Sequence, residues 1–238
     1  MKSFLFAVGI ACLVPGVGFA QPLPPQDKLN QAITTRAVDQ AVSALADALS
    51  DPDVGVRQAA IFALREIGPA GKAAIPALAQ TVRDPDGYLR IDAAFTLGKL
   101  GTDAVPSLVM LLQDPDPRVR QLAARTFRQI GPKAAAGVPA LADALCDPNV
   151  EVRQAVVFAL REMGPQAKPA IPALANTLRD SDGYVRIDAA FTLGKLGRDA
   201  VTSLAALLGD SDAGVRQLAA RTLQQLGGDL AWIEKNPR

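Results

Sequence analysis

Apolar side chains recur along this chain in triplets spaced three and then four residues apart, and an aspartate follows each triplet two residues later. Spacings of three and four place side chains on one stripe of a helix, so each triplet predicts a short amphipathic helix. The triplets are Val42-Leu45-Leu49, Ile75-Leu78-Val82, Val105-Leu108-Leu112, Val138-Leu141-Leu145, Ile171-Leu174-Leu178 and Val201-Leu204-Leu208. The aspartates are Asp51, Asp84, Asp114, Asp147, Asp180 and Asp210.

Each aspartate opens a turn rich in Asp, Pro, Ser, Asn and Gly, which predicts the capped start of a second helix. This second helix begins with an apolar residue, here called position zero, followed by an arginine. Position zero is Val56, Leu89, Val119, Val152, Val185 and Val215, and the arginines are Arg57, Arg90, Arg120, Arg153, Arg186 and Arg216. The helix is predicted to close in a left-handed conformation at a glycine. These glycines are Gly68, Gly101, Gly131, Gly164, Gly197 and Gly227.

The arginines are spaced by 33, 30, 33, 33 and 30 residues, and the difference falls in the connection before the first helix of each pair. The phrase GYLRIDAAFTLGKLG at residues 87–101 returns as GYVRIDAAFTLGKLG at residues 183–197, which lies 96 residues further on. One block of three repeats was therefore duplicated. Periods of this length are typical of a helical solenoid.

The recurring phrase, an Asp-Pro-Asp turn followed by Val-Arg, an Ala-rich segment and a closing Gly, resembles HEAT repeats. It is most similar to the short type called phycobilisome-lyase HEAT-like repeats. The resemblance covers Arg36 to Gly228 and implies an all-α superhelix, a right-handed solenoid of six two-helix HEAT-like repeats. Members of the family include pigment lyases, an iron-dependent hydroxylase of a modified lysine and many scaffolds, so the fold alone does not name a function.

The first twenty residues have the pattern of a signal peptide: Lys2, an apolar run, a break at Pro15 and small residues ending at Ala20. We expect cleavage there and a periplasmic or secreted protein. Two alternatives are an uncleaved membrane anchor, for which the apolar segment is shorter than the ~20 residues required, and lipid attachment at Cys12. The predicted organisation is a signal peptide at 1–20, a linker at 21–35, the solenoid at 36–228 and a C-terminal cap at 229–238, with Trp232 and Ile233 covering the last repeat.

Charge and residue types exclude several functions. The net charge of +1 argues against a nucleic-acid binder, and no segment beyond the signal is apolar enough to span a membrane. The chain has no histidine, which removes Ser/His and Cys/His nucleophiles and the usual zinc sites. The resemblance implies that the iron-dependent hydroxylase of the family holds its iron through His-Glu pairs, which this chain lacks because it has no histidine. After cleavage Cys146 is the remaining cysteine, and we expect it to be solvent-exposed and not a nucleophile. We therefore predict no catalytic residue, cofactor or metal.

The repeated aspartates and arginines permit two hypotheses. They could form an anion pathway, or they could be structural, with each Asp capping a helix and each Arg bonding to the turn of a neighbouring repeat. We favour the structural hypothesis because every repeat carries both residues.

The outward face of the second helices is the candidate site. At about 100° per residue, positions 2 and 6 point away from the core that position zero enters. These positions should be polar, yet several are apolar, and both tyrosines of the chain lie beside them. The predicted partner-binding residues are Phe62, Tyr88, Ile91, Phe95, Arg125, Phe158, Tyr184, Ile187, Phe191 and Arg221. In solenoids of this kind the second helices line the concave side. The alternative is that the rings are buried between repeats.

These observations predict an exported, non-catalytic scaffold that binds a protein or peptide partner on the concave face of the solenoid. One alternative is an enzyme of the HEAT-like family, either phycobilin-lyase-like or oxidoreductase-like. The other is a purely architectural repeat protein. Partner identity and oligomeric state stay open at this point.

Overall fold

The computed structural model of the protein describes the backbone of residues 26–235 and the side chains of residues 34–227. The predicted signal peptide and the side chains of Trp232 and Ile233 lie outside the described residues. Between residues 26 and 235 the chain forms twelve α-helices and no β-strand. From Val38 onward it forms one compact unit.

The helices alternate between first and second members of six pairs, as predicted. The first helices are α1 Gln26–Ala48, α3 Ile75–Thr81, α5 Val105–Leu111, α7 Val138–Ala144, α9 Ile171–Asn176 and α11 Val201–Ala206. The second helices are α2 Val54–Ile67, α4 Gly87–Leu100, α6 Pro117–Ile130, α8 Val150–Met163, α10 Gly183–Leu196 and α12 Ala213–Lys235. Most contacts between consecutive repeats join second helices, which pack side by side through the stack. The structure is an all-α solenoid.

The connections between repeats explain the two repeat lengths. Short 3₁₀ helices of seven residues, such as Gly68–Ala74, precede the first helix in the 33-residue repeats. In the 30-residue repeats the corresponding segments, Gly101–Ala104 and Gly197–Ala200, have four residues. Each segment starts at a closing glycine with φ between +55° and +77°. Such φ values favour glycine, as expected.

The ψ values of these glycines correct one prediction. They lie between −142° and −132°, whereas a left-handed helical cap has ψ of about +47°. The glycine therefore turns the chain directly into the 3₁₀ segment. The prediction that Gly227 closes its helix is also wrong, because α12 continues through Gly227 to Lys235.

Helix α1 begins ten residues earlier than predicted, at Gln26 and not at Arg36. Residues 26–35 contain neither Pro nor Gly, so nothing in this segment stops the helix from extending toward Pro25. The sequence interpretation had assigned residues 21–35 to a linker. The predicted C-terminal segment likewise starts as a continuation of α12.

The core is built from the apolar triplets and from position zero. Leu78, Leu108, Leu141 and Leu174 are completely buried between the helices of their pairs. Two residues predicted to be core are exposed instead: Val56 to 40% and Leu208 to 45%. Val56 lies in the first pair and Leu208 in the last. Each therefore lacks, within the described residues, the neighbouring repeat that covers its equivalents.

The second helices are capped by the residue two positions after each predicted aspartate. Asp53 accepts hydrogen bonds from the N–H groups of Gly55 and Val56, and Asn149 does the same for Glu151 and Val152. The predicted aspartates have a different role, which corrects the sequence interpretation. Asp147, for example, accepts the N–H of Asn149 and so shapes the turn before the cap.

Three of the predicted arginines fasten consecutive repeats. Arg57, Arg120 and Arg153 each donate Nη1 to carbonyls of their own turn, while Nε and Nη2 bind both carboxylate oxygens of the next aspartate. The Nε–Oδ2 distances to Asp84, Asp147 and Asp180 are 2.8, 2.6 and 2.7 Å. Such charge-assisted bidentate pairs support the structural hypothesis for these residues.

Candidate functional site

Apolar side chains are exposed at the outward positions of the second helices. The exposed fractions are Phe62 55%, Tyr88 79%, Ile91 55%, Phe95 41%, Tyr184 74%, Ile187 61% and Phe191 50%. Phe158 is half-buried, and Arg125 and Arg221 are exposed. We call these ten residues the aromatic face. They are the ten predicted partner-binding residues, and nine of them are exposed.

The helical register produces this exposure. In α4, Leu89, Ala93 and Leu97 are buried at positions 0, 4 and 8, and they pack into the core. Ile91 and Phe95, at positions 2 and 6, lie on the opposite side of the same helix and face solvent. The same phrase in α10 gives the same result for Ile187 and Phe191.

Side-chain contacts cross between neighbouring repeats at two places near the aromatic face. The guanidinium carbon of Arg161 lies 4.7 Å from the ring centroid of Phe158 on its own helix and 5.8 Å from that of Phe191 on α10. Further along the stack, Nε2 of Gln129 on α6 donates to the carbonyl oxygen of Phe95 on α4. Arg161 therefore bridges the rings of Phe158 and Phe191, whereas α6 carries Arg125 and no ring at the equivalent position.

Cations lie over the rings, an arrangement that the sequence interpretation missed. Arg65 is 4.5 Å from the centroid of Phe62, Lys99 is 5.5 Å from that of Phe95, and Lys195 is 5.4 Å from that of Phe191. The predicted partner-binding residues did not include Arg65, Lys99 or Lys195. Their separation of three or four residues from each Phe is the signal that could have revealed the contact.

The arginine–aspartate ion pairs between consecutive repeats differ where the connection belongs to a 30-residue repeat. Asp114 and Asp210 are bound by Arg83 and Arg179, which lie two or three residues after the first helices α3 and α9, with Nε–Oδ2 distances of 2.5 and 2.7 Å. Among the residues that the structure describes, the predicted partners Arg90 and Arg186 bind only carbonyls of their own turns. This corrects the expectation that every position-one arginine reaches a neighbouring repeat. The shorter connection changes which arginine meets the aspartate.

Arg90 lines a groove of about 790 Å³ that runs over the N-terminal parts of α4 and α6 toward Glu151 of α8. We call it the arginine groove. Its lining includes Tyr88, Arg90, Ile91, Arg118, Leu122, Arg125 and Glu151. A smaller depression of about 250 Å³ continues from it past Gln121 and Arg125 to Phe158. The groove thus adjoins the aromatic face, and sequence analysis predicted only Tyr88, Ile91 and Arg125 of its lining.

Two aspartates of the ion pairs between repeats, Asp147 and Asp180, have shifted pKa values. Burial raises the pKa of Asp147, but hydrogen bonds from Arg120 and from the N–H of Asn149 outweigh it, and the pKa falls below its usual value. The pKa of Asp180 is lowered in the same way by Arg153 and by the N–H of Asp182, again against burial. The arginine hydrogen bonds that lower these pKa values join consecutive repeats, whereas the N–H bonds lie within the turn of each aspartate.

Other candidate residues show no site within the described part of the chain. Cys146 is exposed and forms no disulfide. Residues 34–227 contain no group of three or more potential metal ligands. No helix between residues 26 and 235 has the length and hydrophobicity that crossing a bilayer requires.

Comparison with known families supports the repeat assignment. A family model described as HEAT repeats matches this chain four times, at residues 29–97, 75–161, 105–182 and 171–233. These overlapping matches span nearly all of the described residues. A comparison with characterised protein sequences found no significant match.

Solved structures with similar folds include three of different origin. An engineered protein shares 24% identity over 79% of this chain and 96% of its own, with a TM-score of 0.48. The complex of CpcE and CpcF of phycocyanin lyase from Nostoc shares 27% identity over 90% of this chain and 82% of its own, with a TM-score of 0.48. Human deoxyhypusine hydroxylase in complex with glycerol shares 22% identity over 84% and 99%, with a TM-score of 0.35. These TM-scores are low, so the relationship rests on the repeated sequence match.

Proposed function

Because this chain belongs to the HEAT-repeat family, we propose that it is a non-catalytic scaffold that binds a protein or peptide partner on its aromatic face. The observation that carries this proposal is the exposure of seven large apolar side chains at equivalent positions of the second helices. Exposed apolar patches of this kind usually mark interaction sites. The absence of histidine from the sequence further favours binding over imidazole-based catalysis.

The expected contribution of the rings is moderate. Complete burial of a Phe side chain contributes ~1.5–3 kcal/mol. Phe95 and Phe191 are already half covered in the free protein, with 41% and 50% of their surfaces exposed. Together they would therefore add roughly 1.5–3 kcal/mol, which corresponds to a 10- to 100-fold change in affinity.

The test is replacement of Phe95 and Phe191 by Ser together, followed by affinity capture from the exported fraction. We expect the double variant to keep its helical content and melting temperature while losing the partner that the wild-type protein retains. A matched control is Met110→Ser, because Met110 is 71% exposed but lies on the first helix α5. Unfolding of the double variant, or equal partner loss in the control, would contradict the proposal.

A second experiment addresses the alternatives of an enzyme and a purely architectural protein. A bound pigment or a stoichiometric metal in the purified full-length protein would favour an enzyme. Concentration-dependent self-assembly that survives the double Phe substitution, with no captured partner, would favour an architectural role.

We also propose that the protein is exported and acts in the periplasm or outside the cell. The basis is the sequence pattern of residues 1–20, with small residues up to Ala20. N-terminal sequencing of the protein from an exported fraction should begin at Gln21. A chain that starts at Met1 and stays in the membrane fraction would indicate a retained anchor instead.

A further inference from the structure

The arginine groove contains a guanidinium whose carboxylate-binding edge has no partner among the described residues. In Arg120, Nη1 donates to the carbonyl of Asp114 at 2.8 Å, while Nε and Nη2 hold the carboxylate of Asp147 at 2.6 and 2.8 Å. In Arg90, Nη1 makes the equivalent bonds to the carbonyls of Asp84 and Pro85 at 2.8 and 3.1 Å. Its Nε and Nη2 bind no described side chain, because Arg83 has taken the aspartate of the next repeat.

Two further arginines lie along the same groove. Arg118 and Arg125 on α6 are exposed, and neither forms an ion pair with the residues that the structure describes. Of the two carboxylates in the lining, Asp86 is engaged as the cap of α4 through the N–H groups of Tyr88 and Leu89. Glu151 is the other carboxylate, so three arginines face two carboxylates and the groove carries an excess of positive charge.

Apolar surface lies next to these arginines. Tyr88 and Ile91 are 79% and 55% exposed and form one wall of the groove, while Leu122 is almost buried in its floor. A ligand that fills the groove would therefore meet a bidentate cation and an apolar surface side by side. Guanidinium groups recognise planar carboxylates through two parallel hydrogen bonds, and burial beside apolar groups strengthens such bonds.

We infer that the arginine groove binds the carboxylate side chain of an Asp or Glu in the partner, with a neighbouring apolar residue of the partner packed on Tyr88 and Ile91. The occupant is a side chain because the same edge of Arg57, Arg120 and Arg153 binds an aspartate side chain within this protein. The inference rests on the proposed function, since it names the chemistry of the partner that docks beside the aromatic face.

The second block of repeats provides an internal control. Arg186, which matches Arg90, also binds only the carbonyls of its own turn, at 2.7 and 3.2 Å. Arg221 matches Arg125, but Gly214 stands where the first block has Arg118. No described helix follows α12 in the place that α8 occupies beside α6. We therefore expect the first block alone to bind the carboxylate.

The experiment is selection from a displayed random-peptide library on the full-length protein, run in parallel on three variants. Arg90→Gln and Arg125→Gln test the groove. Arg186→Gln is the matched control for Arg90→Gln, because it removes the same kind of turn hydrogen bonds. We expect the wild type and Arg186→Gln to enrich peptides with Asp or Glu next to an apolar residue, and both groove variants to lose that enrichment.

Affinity measurements on one enriched peptide, synthesised with blocked ends, give the contribution of its acidic residue to binding. Replacing its acidic residue by Gln or Asn should weaken binding roughly tenfold or more, as expected for a hydrogen-bonded charge, and added salt should weaken the acidic peptide more. Four results would each overturn the inference. They are a lack of acidic enrichment, equal binding of the acidic and the amide peptide, equal effects of Arg90→Gln and Arg186→Gln, and a requirement for a free C-terminal carboxylate. These results leave the proposed function untouched, because that proposal is decided by Phe95 and Phe191.

Discussion

The two blocks of three repeats have closely similar sequences but present different surfaces. Their central second helices, α4 and α10, share 14 of 15 residues of one phrase and have the same bounds relative to it. Leu97 and its match Leu193 are both completely buried. Val56 is 40% exposed, however, whereas its match Val152 is completely buried, and Leu112 is 5% exposed against 45% for Leu208. The position of a repeat in the stack, and not its sequence alone, decides what is core.

The same comparison separates the candidate binding surfaces. Exposed rings occur in both blocks, so the aromatic face extends along the stack. The arginine groove needs Arg118 and a following helix α8, so it lies at the end of the first block, where that block meets the second. Duplication therefore provided a repeated apolar surface, while the difference between Arg118 and its match Gly214 distinguishes one part of it.

The largest expected difference between the blocks is at Leu112 and Leu208. Leu112→Ala should lower the free energy of unfolding by about 2–5 kcal/mol, the usual range for a buried leucine. Leu208→Ala should change it by less than about 1 kcal/mol, because nearly half of Leu208 is already exposed. Chemical denaturation of both variants measures the difference. Equal losses would show that Leu208 is covered in solution by a segment outside the described residues or by another molecule.

A smaller difference concerns a pair of residues that departs from the repeat pattern. Phe127 is completely buried at a position where every other second helix, including its match at Leu223, has leucine. Gly137 lies where the other connections have alanine, and a Cβ atom there would be 2.1 Å from Cε1 of Phe127. The small residue thus makes room for the large ring.

Gly137→Ala should therefore destabilise the protein by about 1–3 kcal/mol through overpacking. Adding Phe127→Leu to it restores the residues of the other repeats and should recover part of the loss. A double-mutant cycle measured by thermal or chemical unfolding gives the coupling between the two sites. Additive effects of the two substitutions would show that Gly137 and Phe127 are independent.

Much of the fold could be predicted because the signals repeat. The triplets, the turns and the two repeat lengths predicted six helix pairs, and the helical register identified the outward positions that are exposed. Repetition also led to two wrong predictions: Val56 and Leu208 match buried residues in sequence, but no neighbouring repeat within the described residues covers them. The sequence spacing does not show that Arg83, and not Arg90, binds Asp114. That pairing depends on where a connection three residues shorter places Asp114. Whether the aromatic face and the arginine groove bind a partner stays a prediction.

The smallest expected effect is the difference in stability loss between Asp147, which pairs with an arginine of the preceding repeat, and its match Asp51, which has no such partner in the structure. Asp147 accepts two hydrogen bonds from Arg120, whereas its match Asp51 accepts the N–H of Asp53 and has no arginine from a preceding repeat in the structure. Asp147→Asn should therefore cost about 1 kcal/mol more than Asp51→Asn, the difference between a charged and a neutral hydrogen bond. Urea unfolding at neutral pH measures both.

The pH dependence of Asp147→Asn sharpens this prediction. Because the pKa of Asp147 is lowered in the folded protein, the folded state binds a proton less readily than the unfolded chain, whose aspartates titrate near pH 3.8. The stabilisation by the pair is therefore complete above that pH and is lost as the pH falls through the lower folded pKa. The stability difference between wild type and Asp147→Asn should be constant near neutrality and shrink in acid. A difference that stays the same down to the acid limit would mean that the pair acts through shape and hydrogen bonding alone, without the charge of Asp147.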